Sequence, residues 1–64
     1  MYKVTIYWIV DDKAFRVAVH KKYPRIPDTM SLNGESEAIL TEEELSAVRT
    51  GDPKYLRIRH VTKL

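Results

Sequence analysis

Along residues 2–10, apolar and polar side chains alternate. Tyr2, Val4, Ile6, Trp8 and Val10 share one parity, and Lys3, Thr5, Tyr7 and Ile9 share the other. Period two with aromatic and β-branched residues predicts a strand with one buried face. Asp11-Asp12-Lys13 supplies polar turn chemistry. Residues 14–20 then alternate again, with Phe15, Val17 and Val19 on one side and Ala14, Arg16, Ala18 and His20 on the other, extended by Lys22 if the strand continues. The two segments predict a β-hairpin. Pro24 and Pro27 end the second strand, because neither can donate to a ladder and each biases the preceding residue toward extended geometry.

Residues 28–40 carry Asn33-Gly34, a dipeptide suited to a type I′ turn, between two short segments. They read as an extra short hairpin within 29–40 or as a long loop. Thr41 then opens a helix. Its hydroxyl can cap Glu44 N–H while Glu44 reaches back, Leu40 can pack on Leu45, and Glu42, Glu43 and Glu44 meet the positive end of the helix dipole. Gly51 and Pro53 stop it after two to three turns, with Leu45 and Val48 inward. In residues 55–64, Leu56 and Ile58 alternate with Tyr55, Arg57 and Arg59 until the pattern slips at His60-Val61, where a bulge or the end of pairing is expected and His60 has inward parity before the slip.

This order predicts an α+β fold: a small β-β-α-β domain with a mainly antiparallel three-stranded sheet and one short helix packed on one face. A right-handed crossover gives strand order 2-1-3, with the last strand beside the first. The other face, left to solvent, displays Lys3, Thr5, Tyr7, Ile9, Arg16, His20, Lys22, Tyr55, Arg57 and Arg59, a set without a carboxylate. Sixty-four residues make a single domain, 1–64, near the lower size limit for a core that folds without staples. There are no cysteines, which removes disulfides and thiolate chemistry and fits a cytoplasmic setting. The longest apolar run, residues 6–10, is too short to span a bilayer, so no membrane partner is expected.

Net charge is only +2, but it is segregated: +3 over residues 1–34, −5 over 35–52 and +4 over 53–64. Catalytic patterns are missing. His20 and His60 fall on opposite parities and lack metal-ligand spacing, so neither a metal nor a cofactor is expected. Asp11-Asp12 fits turn chemistry, no serine has a histidine near it in sequence, and no phosphate-loop pattern occurs. The expected function is therefore non-enzymatic: a small binding or regulatory protein that modulates a larger macromolecular partner, comparable in scale to small phage-encoded inhibitors or accessory factors. The candidate surface is Lys3, Tyr7, Arg16, His20, Lys22, Tyr55, Arg57 and Arg59, suited to an acidic protein surface. Two alternatives stand beside it. The same basic and aromatic groups suit a nucleic acid, through phosphate neutralisation and base stacking. The unpaired sheet edges suit a homodimer or a self-assembling structural module, although lysines and prolines also protect edges.

Overall fold

The computed structural model describes residues 1–64. In chain order the elements are β1 (Tyr2–Trp8), α1 (Lys13–Lys22), β2 (Glu35–Leu40), α2 (Glu42–Thr50) and β3 (Leu56–Lys63). The sheet has the order β2-β1-β3, and both pairings are antiparallel. The α+β class and the three-stranded antiparallel sheet stand. The expected β-β-α-β order and single helix are corrected to β-α-β-α-β with two helices.

The correction falls on residues 14–20, which are helical. Asp12 is extended, with φ −137° and ψ 111°, and its carboxylate accepts Phe15 N–H at 3.2 Å, so it caps α1. His20, Lys21 and Lys22 occupy the last turn, where positive charge meets the negative end of the helix dipole. Phe15, Val17 and Val19 alternate, but Phe15 and Val19 also lie four apart and share a helical face. Val19 is buried in the core, and Phe15 meets Trp8 edge-on with ring centroids 6.1 Å apart.

The extra hairpin expected in 29–40 does not form. Residues 31–34 make a tight turn, with Gly34 N–H donating to Ser31 O at 2.9 Å and Gly34 at φ 82°. Residues 35–40 leave that turn as β2 and pair with β1, from Tyr7 opposite Glu35 to Tyr2 opposite Leu40. The expected strand order 2-1-3 is thus met by a different second strand.

α2 follows its sequence signals. Thr41 N–H donates to Glu44 Oε1 at 2.8 Å, and Glu44 N–H donates to Thr41 Oγ1 at 3.2 Å. Gly51 ends the helix at φ 85°, and Asp52 N–H reaches Ala47 O at 3.0 Å. The core gathers Val4, Ile6 and Trp8 from β1, Ala38 and Leu40 from β2, and Leu56 from β3. It closes with Val19, Leu45 and Val48 from the helices and Ile26 from the loop after α1. Trp8 Nε1–H donates to buried Ser36 Oγ at 2.8 Å, and Ser36 in turn donates to Thr29 O. No helix is long and apolar enough to cross a membrane.

Candidate binding surface

The face of the sheet away from the core is read from the register. Lys3, Thr5 and Tyr7 run down its centre, with Ile39, Glu37 and Glu35 opposite them on β2 and Thr62, His60 and Arg57 opposite them on β3. The expectation of a face without carboxylates is overturned. With residues 14–20 helical, the flanking strand comes from 35–40 and brings Glu35 and Glu37 with it. The face is divided, acidic along β2 and basic along β3.

The slip at His60 is a bulge. Ile58 pairs with Ile6 and His60 with Thr5, which leaves Arg59 as the extra residue. One inserted residue resets the alternation, so His60 turns to the open face rather than inward, and Val61 returns to the side of Val4. Arg59 reaches back over the open face. Its Nε lies 3.0 Å from Glu35 Oε2, and its guanidinium carbon sits 4.4 Å from the centroid of the Tyr7 ring. Lys3 Nζ is 3.7 Å from Glu37 Oε2, an exposed pair worth at most about 1 kcal/mol. Arg57 donates from Nη1 to Leu56 O at 2.9 Å and pairs with no acid, nor do His60 and Lys63.

The backbone shows which groups face outward from the sheet. Trp8 N–H donates to Gly34 O, whereas Ile9 N–H donates to Tyr55 O and Leu64 N–H to Met1 O. Even-numbered positions of β1 therefore bond to β2 and odd-numbered positions to β3, as an antiparallel ladder requires. On β2 this turns the N–H and C=O of Glu35, Glu37 and Ile39 outward, and Ser31 takes both groups of Glu35. On β3 it turns those of Ile58, Val61 and Lys63 outward, with no strand beyond them. Ile58 and Val61 face the helix layer yet are only half-buried.

Of the eight residues expected to form the candidate surface, Lys3, Tyr7, Arg57 and Arg59 lie on the open face. Arg16, His20 and Lys22 do not, because α1 carries them into the helix layer. The Arg16 side chain is 13% exposed, and it donates to Asp11 Oδ1 at 2.7 Å and to Asp28 O at 3.0 Å, tying α1 to the turn before it and the loop after it. His20 Nδ1–H donates to Ile26 O at 2.6 Å. Lys22 Nζ lies 3.2 Å from Asp52, which also accepts from Tyr23 O–H. Tyr55, at φ 65°, turns its ring toward the helices, 5.4 Å from the Phe15 ring. Sequence parity missed His60, whose signal was the slip itself, and Glu35 and Glu37, whose signal was the alternation of 35–40.

No three His, Asp or Glu side chains converge on a common point. Comparison with known proteins finds no matching family model, no similar curated protein and no similar solved structure.

Proposed function

We propose that this chain is a non-enzymatic binding protein that modulates a larger protein partner, as an inhibitor or accessory factor acting in the cytoplasm. One observation carries the proposal. β3 is an edge strand of eight residues whose charged side chains are all basic, and only Arg59 is engaged by an acid. An acidic protein surface complements that edge. The open face as a whole favours a nucleic acid less: Glu35 and Glu37 repel phosphate, and Arg59 covers the Tyr7 ring that would stack on a base.

Affinity capture from a nuclease-treated lysate tests the proposal. A stoichiometric protein partner should be retained by the native chain and lost by the double variant Arg57→Glu, Arg59→Glu. Equal retention by both proteins would sink the role given to β3. If the chain instead binds a single-stranded oligonucleotide with a steep salt dependence that the double variant flattens, the nucleic-acid alternative replaces it.

A further inference from the structure

We propose that the partner presents an extended acidic segment that adds to β3 as a fourth strand. This rests on the partner-protein function above and specifies how the partner is held. The N–H and C=O groups of Ile58, Val61 and Lys63 point away from β1 with no ladder to join, and an incoming backbone supplies the missing bonds. Side chains of an added strand alternate between the two faces. Those on the helix side meet a groove of about 330 Å³ between α2 and β3, floored by Val48, Leu56 and Ile58 and flanked by Arg49 and Arg57. The groove explains why Ile58 remains half-exposed on the covered side of the sheet, and Val61, farther along the strand, is half-exposed on that side too. Those on the open side come alongside His60 and the stem of Arg57, whose guanidinium curls around the edge to Leu56 O, so carboxylates are favoured there.

Charge and geometry decide against the other edge and against a second copy. At the β2 edge Ser31 occupies both outward groups of Glu35 and the face beside it is acidic, whereas at the β3 edge Arg57 takes only the outward Leu56 C=O and leaves Ile58, Val61 and Lys63 free. Pairing β3 with β3 of another molecule would bring Arg57, Arg59, His60 and Lys63 against their own kind, and like charges across a ladder are destabilising.

Selection from a random peptide library against the native protein should enrich sequences in which acidic residues alternate with apolar ones. In amide hydrogen exchange, the winning peptide should protect Ile58, Val61 and Lys63. Binding should weaken by about tenfold or more in the Arg57→Glu, Arg59→Glu variant. Val61→Pro removes an outward N–H without touching a bond to β1, and proline is tolerated at such edge positions, so the variant should keep its fold and lose the peptide. Methylating alternate peptide nitrogens tests the same bonds with the protein unaltered, and should also abolish binding. Failure to enrich an acidic alternating family, or a peptide that binds without protecting those amides, would overturn strand addition. A captured partner that depends on Arg57 and Arg59 while the β3 amides stay unprotected would preserve the partner-protein function and refute this mode alone. A mass that rises with concentration in light scattering would give the edge to a second copy instead.

Discussion

Asp52 is held from across the helix layer by two consecutive residues at the end of α1, Lys22 and Tyr23. Its carboxyl is kept below the ordinary value of 3.8, first by the hydrogen bond from Tyr23 and then by that from Lys22. The same hydrogen bond raises the Tyr23 hydroxyl above its ordinary 10.0, aided by partial desolvation. The signs are opposite. Ionised Asp52 contributes stability in full above pH 3.8, and that contribution is lost as pH falls through the lower folded value. Protonated Tyr23 contributes below pH 10.0 and stops as pH rises through the higher folded value. Asp52→Asn should therefore lower the thermal midpoint near neutrality and converge on the native protein in acid. A constant offset from neutral to acidic pH would show that the contact does not depend on the charge.

Ser36 matters at the same scale, because it satisfies the buried indole N–H of Trp8. Ser36→Ala leaves that donor unpaired and should cost about 1–3 kcal/mol in urea unfolding. Tyr55 is the one residue other than glycine with positive φ. Its conformation is costly for a side chain with a Cβ, and its ring contact with Phe15 offsets part of that cost.

Among the elements, α2 was the most legible in the sequence, because its signals agree. The Thr41 cap, the acidic first turn and the Gly51 stop all specify the same nine residues. A Cβ at Gly51 would meet nothing within 4 Å, so the cost of Gly51→Ala is conformational, about 1–2 kcal/mol. At Gly34 the added Cβ would also sit 3.0 Å from the Tyr7 ring, so Gly34→Ala should destabilise more than Gly51→Ala in the same assay. β1 was legible for a similar reason, since strict alternation and β propensity coincide in it.

α1 was not, because its ten residues satisfy two periods at once. Phe15, Val17 and Val19 alternate, while Phe15 and Val19 repeat at helical spacing, and short apolar patterns do not separate the two. What decides is Asp12, a cap only if the following residues coil, together with the helix-favouring Ala14 and Ala18. Misplacing α1 propagated to the site. It put Arg16, His20 and Lys22 on the open face and kept Glu35 and Glu37 off it. Lys3, Tyr7, Arg57 and Arg59 survived because their strands were assigned independently of α1.

At the scale of the whole molecule, ten apolar residues form a single core beneath the two helices. A chain of this length has only about 3–5 kcal/mol of net stability to draw on. Ile6 is wholly buried at the centre of that core, and Ile6→Ala should cost about 2–5 kcal/mol. The variant should populate the unfolded state heavily at 25 °C, seen as collapsed amide dispersion in NMR. Retention of full dispersion and a native midpoint would show that the core is more tolerant than its size implies.

β1 precedes both of its partner strands and is central in the sheet, hydrogen-bonded to β2 on one side and β3 on the other. Both of its partners are made after it. During synthesis Val4, Ile6 and Trp8 leave the ribosome before the helices and strands that cover them here, and one edge of β1 stays open until residues 56–63 have followed. Of the three strands, the one that organises the finished sheet thus waits longest for its neighbours, and until they arrive its backbone is open to a premature strand partner.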